Sequence, residues 1–476
     1  MNITNSYDPS IQVILGIPFH NVSFPEAVEW VHRRILSRTP GYIATANLDF
    51  VKQAWEDPEL QRILLEADLV VADGFPIVWL SRLFGPALKE RVTGSDLVPM
   101  LAKMAAEKGH SLYLLGGAPG VGEKAADSLR KRFPGVRIAG QYSPPLADII
   151  TMDHPGILVR LKAANPDILL IAFGAPKQEK FANFNVRNWS IPVSIGVGGT
   201  LDFLAGTQTR APRIIQRLAL EWLWRMMTAP RRLAKRYGAD LVFLLATCWR
   251  LLRLRLSPDH PAETDVGHTP QEINSPEILW ASYAQAAKGN LAPLFLAAET
   301  QSIALDLRGI SWFSSTELGV LLQLAKTCRG HHHRLVLFNT GTRVKRLLST
   351  CRLVDYIDLV ASKPQVHDFL VQLAQGGWAA KVAGNELIIE TPRELTAANV
   401  QEFKELIEPE FERTPPFSAW IVDLQHTTFL DSRPLGLFAE WRNLAAKRNI
   451  ALKIRHARNT VAQAFRIANL EHWLDS

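Results

Sequence analysis

Over its first two hundred residues the chain alternates short apolar runs with amphipathic stretches. QVILG, YIATAN, LVVADG, SLYLLGG, DILLIAFG and VSIGVGG read as strands, and SFPEAVEWVHRRILSR and VGEKAADSLRKRF as helices between them. That rhythm specifies an α/β domain with a mostly parallel sheet between helices. In open sheets of this kind the ligand crevice lies at the carboxyl ends of the strands. Polar or glycine residues stand at those ends: Thr45 and Asn47, Asp73 and Gly74, Gly116 and Gly117, Gly174, Gly198 and Gly199. They are expected to converge on one substrate.

Asp73 directly follows the apolar run Leu69–Ala72. A carboxylate there either caps the helix starting near Phe75 or works in a site, since losing solvation without a partner is costly. Thr45 and Asn47 end the preceding strand, so a hydroxyl, an amide and a carboxylate would lie side by side. Such a set can hold a sugar hydroxyl and remove its proton. RVTGSDL adds Arg91 and Thr93, and LLGGAPGVGEKAA is a glycine-rich strand-to-helix turn suited to an anion. It is no P-loop, because Glu123 separates Gly122 from Lys124 and no Ser or Thr follows the lysine. AFGAPKQEKF brings Lys177, Gln178 and Glu179 to another strand mouth, and GVGGTLDFLAG brings Asp202.

The chain of 476 residues exceeds one ordinary core, and its hydrophobic share of 47% argues against global disorder. Cys248, Cys328 and Cys351 have no metal-ligand spacing and fit reduced thiols in a cytosolic protein. The opening MNITNSYDPSIQVILG lacks a basic region followed by a long apolar stretch, so no signal peptide is expected. The net charge of +7 is local: residues 210–255 hold eleven Arg and Lys against Glu221 and Asp240, leaving −2 elsewhere. This segment also carries Trp222, Trp224, Met226, Met227 and Trp249. The mixture suits an amphipathic helix pair on anionic lipid better than a nucleic-acid surface. A buried core helix is the ordinary alternative. Its apolar stretch ADLVFLLATCW is far short of the ~20 residues a membrane span needs.

SPDHPAETDVGHTPQEINSP reads as a linker, and beyond it the chain repeats itself. IALDLRGISWFSSTELGVLLQLAK (303–326) and WIVDLQHTTFLDSRPLGLFAEWRNLAAK (420–447) share a strand ending in Asp-Leu, a Ser-containing turn, a Leu-Gly pair and a helix. Two related small α/β domains are expected, although residues 270–300 look poorly strand-like. The histidines 331–333 read as a polar turn rather than a metal site.

The ordered set TANLDF, VVADG, RVTGSDL, YLLGG, AFGAPKQE, GVGGTLDFLAG and TRAPRIIQRLALEWLWRMMTAPRRLAKRY resembles the WecG/TagA/CpsF family of bacterial glycosyltransferases over residues 10–240. The resemblance implies a Rossmann-like, inverting transferase without a strictly required metal or other cofactor. It would move a sugar from a UDP donor to a polyprenyl-diphosphate-linked sugar at the cytoplasmic membrane face. Asp73 matches the proposed general base, with Thr45 and Asn47 beside it, and Arg91 and Gln178 match polar site positions. No Asp-x-Asp triplet occurs, so arginines and backbone amides must stabilise the leaving diphosphate. Arg210, Arg225, Arg231 and Arg232 are candidates. With them the expected substrate-binding set is Arg91, Thr93, Gly116, Gly117, Lys177, Gln178, Glu179, Gly198, Gly199 and Asp202. The donor sugar would be N-acetylmannosamine, its uronic acid or glucose.

VDLQHTTFLDSRPLGLF resembles the core of a STAS domain, whose Asp-Ser turn can carry a phosphorylated serine. Asp431 and Ser432 stand at that turn, with Arg433-Pro434 replacing the usual small residue and glycine. The first copy keeps Ser315 without the aspartate. Ser315 and Ser432 are thus candidate phosphorylation sites, helix caps being the plain alternative. Protein docking or self-association is the expected role of both modules. The expected organisation is a transferase core (1–209), a basic membrane-associating appendage (210–256), a linker (257–277) and STAS-like domains at 278–375 and 376–476. The whole would be peripheral to the cytoplasmic face of the inner membrane. The competing reading is a non-catalytic protein that senses nucleotide-sugar or lipid and signals through its STAS pair.

Overall fold

In a computed structural model the described residues are 9–475 apart from 187, 210, 213–214, 216–220, 229, 259–277, 289–290, 355, 376 and 413–416. The expected linker falls almost wholly within 259–277 and so lies outside the described residues.

The N-terminal half is built on a six-stranded sheet. Its strands are β3 (Gly41–Ala46), β4 (Leu69–Ala72), β5 (Ser111–Gly116), β6 (Arg137–Tyr142), β7 (Ile168–Ala172) and β8 (Val193–Gly196). They run in the order β4-β3-β8-β7-β5-β6, every neighbouring pair parallel. The central strand β7 reads ILLIA because both of its faces are covered by apolar side chains. QVILG does not join this sheet. It forms β1 (Ile11–Ile14), which pairs antiparallel with β2 (Ile17–His20) as a separate hairpin.

The helices that set the strand ends are α1 (Phe24–Ser37), α2 (Leu48–Glu56), α3 (Pro58–Glu66), α4 (Phe75–Phe84), α5 (Gly94–Lys108), α6 (Val121–Arg132), α7 (His154–Ala164), α8 (Lys177–Asn185) and α9 (Thr200–Leu204). α1 opens with a capping box, Ser23 accepting from the Glu26 amide and Glu26 accepting from the Ser23 amide. The basic segment forms α10 (Glu221–Thr228) and α11 (Pro230–Leu256). α11 lies on α2, with Trp55 edge-on to Phe243 at 5.2 Å and Lys52 paired to Asp240 at 3.6 Å. Among the described residues no helix is long and apolar enough to cross a membrane.

Two smaller α/β modules follow. The first has a parallel sheet of β9 (Ile278–Ser282), β10 (Ser302–Asp306), β11 (Leu335–Phe338) and β12 (Asp358–Leu359), in the order β12-β11-β10-β9. The stretch expected to be poorly strand-like therefore contains a strand, ILWAS, paired along all five residues of β10. The second module orders β13 (Ala379–Ala383), β14 (Glu386–Glu390), β16 (Ala419–Asp423) and β18 (Ala451–Arg455), with a short β15 (Glu394–Leu395) and β17 (Phe429–Leu430) pair beside them. The shared Asp-Leu signature has a local cause: Asp306 and Asp423 end equivalent strands and accept from the amide two residues on, at 2.9 and 3.0 Å.

The repeated helices are α12 (Ser315–Gly330) and α13 (Ser432–Lys447). Neither Ser315 nor Ser432 caps its helix. Ser314 caps α12 and Asp431 caps α13, which places both expected serines one residue inside, where they are buried. The first module shares one continuous apolar core with the N-terminal domain, Ile14, Phe19 and Leu60 joining Leu318, Leu321 and Leu322. The second has a core of its own around Trp420, Phe438 and Trp441.

Candidate active site

All six strands of the large sheet are parallel, so their carboxyl ends share one edge. From β3 the chain moves outward to β4, then crosses to build β5–β8 on the other side, which makes β3/β8 a switch point, the place where sheets of this kind hold a ligand. At that point the Thr45 hydroxyl donates to the Gly196 carbonyl at 3.1 Å and is buried. Thr45 therefore ties two strands together under the crevice floor.

Asp73 follows β4, its amide donating to the Ala46 carbonyl at 2.9 Å. The N-cap position of α4 is Gly74, which directly follows Asp73. Residues 73–76 are all partly exposed, which opens the end of β4 to solvent. Asn47 lies against this turn: a β-carbon on Gly74 would sit 3.6 Å from that of Asn47. Asn47 itself caps α2, its side-chain oxygen accepting from the Phe50 amide at 3.1 Å.

Arg91 reaches the same end of the edge. The Val92 amide donates to the Ala72 carbonyl at 3.0 Å, bringing 91–93 alongside β4. The Arg91 guanidinium stands 4.5 Å from the centre of the Phe75 ring and pairs with Glu221 of α10 at 3.2 Å. It thereby joins the Asp73 turn to the basic appendage. Thr93 is occupied by capping α5, accepting from the Asp96 amide at 3.2 Å and donating to its carboxylate at 2.8 Å.

On β8 the turn Gly198-Gly199 is held by Gln178, whose side-chain oxygen accepts from the Gly198 amide at 3.0 Å. Gln178 also donates to Glu179 at 2.8 Å, and Tyr42 donates to the same Glu179 oxygen at 2.9 Å. Glu179 is fully buried and accepts from both side chains, so it orients Gln178 from below. Burial lifts its pKa from 4.5 to about 7 and raises that of Tyr42 well above 10. Gly196 is required by this packing, since a β-carbon there would fall within 2.7 Å of the Gln178, Glu179 and Tyr42 polar atoms. Asp202 supports the neighbouring turn, accepting from Thr207 at 3.2 Å.

The remaining predicted residues lie further along. Gly116 and Gly117 have φ of +103° and +78°, and a β-carbon on Gly116 would be 2.7 Å from the Ala172 carbonyl oxygen, so only glycine serves that turn. Four strand spacings separate β4 from β5, roughly 19 Å. Asp73 and the Gly116 turn therefore lie on the same carboxyl edge of the sheet, well apart along it. Lys177 is turned to the Ala147 carbonyl and the Phe173 ring. Arg210 lies outside the described residues, as do the side chains of Arg225, Arg231 and Arg232. Tyr42, Phe75, Gly196 and Glu221 complete the site without a sequence signal of their own. Among the described residues no cluster of His, Cys, Asp or Glu could hold a metal.

The pattern of the glycosyl transferase WecG/TagA/CpsF family matches residues 12–258, and STAS-domain patterns match 276–368 and 378–475. Similar proteins include three named N-acetylglucosaminyldiphosphoundecaprenol N-acetyl-beta-D-mannosaminyltransferase. That of Bacillus spizizenii is 32% identical over 40% of this chain and 72% of its own length. Those of Staphylococcus aureus (28%, covering 47% and 86%) and Bacillus subtilis (29%, covering 46% and 85%) are alike. The solved murine Slc26a9 anion transporter covers 34% of this chain and 30% of its own at 14% identity and a TM-score of 0.16, too slight to carry an argument.

Proposed function

Since the chain belongs to the WecG/TagA/CpsF glycosyl transferase family and is a glycosyltransferase carrying two STAS domains, we propose that it transfers N-acetylmannosamine from a UDP donor to a polyprenyl-diphosphate-linked N-acetylglucosamine. The relatives' printed activity supports this donor and acceptor over a uronic acid or glucose. Asp73 is the general base. It takes the proton of the acceptor hydroxyl as that oxygen bonds to the anomeric carbon and the diphosphate departs from the opposite face, inverting the centre. Asn47 orients the hydroxyl, and Thr45 fixes the β3/β8 floor. Arg91, the arginines of 210–232 and the amides of the Gly198-Gly199 turn receive the leaving-group charge.

The observation that carries the reading is the Asp73 turn, where a partly exposed aspartate follows β4 at the carboxyl edge of the sheet, beside Asn47 and the Arg91–Thr93 segment. The proposed organisation keeps the core at 1–209, the appendage at 210–256 and the STAS domains at 278–375 and 376–476. The appendage would rest on the cytoplasmic face of the membrane. In support, α11 exposes Leu241, Val242, Leu245, Trp249, Leu252 and Leu256 beside Arg250, Arg253 and Arg255, an apolar strip edged with cations.

Loss of the base costs general base catalysis about 10²–10⁴-fold in rate. Asp73→Asn is expected to fall by that much in UDP release measured with a lipid-diphosphate-sugar acceptor. Turnover equal to the wild type would remove Asp73 as the base.

A further inference from the structure

Helix α4 leads directly away from the Asp73 turn, and its two faces differ. Ile77, Val78 and Leu80 are buried in the apolar core that also takes Leu251 and Leu254 of α11. Phe75, Trp79 and Leu83 recur at every fourth residue and so share another face. Trp79 is 53% and Leu83 66% exposed, and the Phe75 and Trp79 rings lie 6.1 Å apart. A water-facing helix surface normally carries charged and polar groups, yet Arg82 is the sole charge of α4. The strip from Phe75 to Leu83 is about 12 Å long. Its near end is two residues from Asp73. Its far end meets the first STAS domain, where a β-carbon on Gly85 would overlap the Ser315 hydroxyl. Trp312 of the same loop lies 6.0 Å from the guanidinium of Arg255, in the last turn of α11. Both helices therefore end on one loop.

We propose that the outer face of α4 is the track for the polyprenyl chain of the acceptor, which runs from the Asp73 turn over Phe75, Trp79 and Leu83 toward the first STAS domain. This rests on the acceptor and base given above and adds where the chain lies. The tether argues for this occupant. An acceptor whose sugar hydroxyl meets Asp73 holds its diphosphate and chain close to that carboxylate, and α4 is the element that starts there. An uncharged hydrocarbon chain gains by covering the exposed Trp79 and Leu83, since apolar area leaves water on both sides. A protein partner needs more, because a stable interface buries about 800 Å² on each side and three side chains in a row supply only a fraction of it. The bilayer has the longer strip of α11, about 22 Å from Leu241 to Leu256. With both helices ending on the Trp312 loop, the track leaves α4 beside the helix that would rest on lipid. The chain thus passes from membrane to base along apolar surface.

The test uses the full-length chain and two acceptors, N-acetylglucosamine diphosphate esterified with a long polyprenyl chain or with a methyl group. The ratio of their kcat/KM values for UDP release reads the chain alone. The wild type is expected to prefer the long chain, and Trp79→Ser with Leu83→Ser to lower that preference about tenfold or more. No preference in the wild type, or one kept by the variant, overturns the proposal. A second readout does not need the transfer reaction. A polyprenyl diphosphate bearing a photoreactive diazirine, presented in detergent micelles, is expected to label residues 75–88 of the wild type. Label confined to other segments overturns the track even where Asp73 proves to be the base. Should neither acceptor turn over, the transfer reading falls and the label alone decides. It also decides if amide hydrogen exchange shows α4 unfolded in the variant. Anionic vesicles without acceptor separate the bilayer as occupant: cosedimentation kept by the variant supports the track, and its loss overturns it.

Discussion

The two STAS domains present the same face to the catalytic domain and are held by different physics. In each, the serine turn and the Leu-Gly pair one helical turn later lie at the contact. A β-carbon on Gly85, at the end of α4, would overlap the Ser315 hydroxyl, and one on Gly319 would overlap the Ile11 carbonyl. In the second domain Gly436 faces Phe184, and Ser432 binds Glu59. Yet the first domain is welded into the catalytic domain's apolar core, whereas the second keeps its own and docks through carboxylates, amides and a lysine. Apolar burial is non-directional and hard to reverse by one charge, while a polar contact is cheap to separate once its groups can return to water. The same small fold is thus held by apolar burial in one copy and by polar contacts in the other.

Helix α3 lies between them. Its Arg62 joins Glu66 and Glu394 and lies under the Tyr356 and Phe429 rings. Glu394 of the second domain also receives Arg329 and Arg334 of the first, and three guanidiniums hold its carboxyl well below the usual range despite burial. This junction fixes where the three bodies meet. In the Staphylococcus aureus relative the match covers 86% of its length, so the 14% outside it is too short to supply two such domains.

The largest expected effect separates the two glycines. Gly319→Ala drives a methyl into backbone that cannot yield, and overpacking of this kind costs roughly 1–3 kcal/mol or more. Gly436→Ala places its methyl 3.6 Å from Phe184, an ordinary contact, and gains up to about 1 kcal/mol of helix propensity. Thermal unfolding should therefore fall sharply for the first variant and stay level or rise for the second. Equal losses would erase the distinction between weld and dock.

A smaller effect comes from pH. Asp431 stands where the first copy has Ser314. Burial, with the Glu59 carboxylate beside it, lifts the Asp431 pKa from 3.8 to about 7. Glu59, with Lys180 paired to it, acts on it from the catalytic domain, and the Arg433 amide of its own helix donates to it at 3.0 Å. A carboxyl with a raised folded pKa binds its proton more tightly when folded. Its contribution is therefore full below about pH 4 and lost as pH rises through 7. The unfolding transition of the second domain should fall by about 5 °C or more between pH 5.5 and 8, and Asp431→Ser should flatten that slope. An unchanged slope in the variant would assign the pH dependence elsewhere.

How much of this could be read from the chain follows from where each signal lives. Strands buried on both faces announce themselves as apolar runs, and β3, β4, β5, β7 and β8 fall where the sequence puts them. β6 escapes because it is an edge strand whose residues alternate between exposed and half-buried, leaving RIAGQY without an apolar run. The order of motifs gives the carboxyl edge of the sheet, and Asp73, Asn47, Arg91 and Gln178 lie along it. The burial of Glu179 is not legible, because a carboxylate beside a strand mouth reads as exposed and only the packing of Tyr42 and Gln178 over it shows otherwise. The dock is beyond any single-sequence reading, since Glu59 and Ser432 are 373 residues apart and neither position has a local pattern that names the other.

The smallest expected effect lies in the caps. Ser314 and Glu317 form a reciprocal box, the Ser314 hydroxyl accepting from the Glu317 amide at 3.3 Å and the Glu317 carboxylate from the Ser314 amide at 2.8 Å. Ser314→Ala should cost about 1 kcal/mol, the usual value of such a cap. Because α12 is embedded in the shared core, that loss should appear as a modest drop in the melting of the fused bodies, with exchange in 177–185 unchanged. Asp431→Ala removes a cap from the docked copy and also frees Asn183 and the Ala397 amide. There the same order of energy should appear as faster exchange along α8. If Ser314→Ala loosened α8 as well, both domains would act on that helix, and the contrast between the copies would narrow to one of degree.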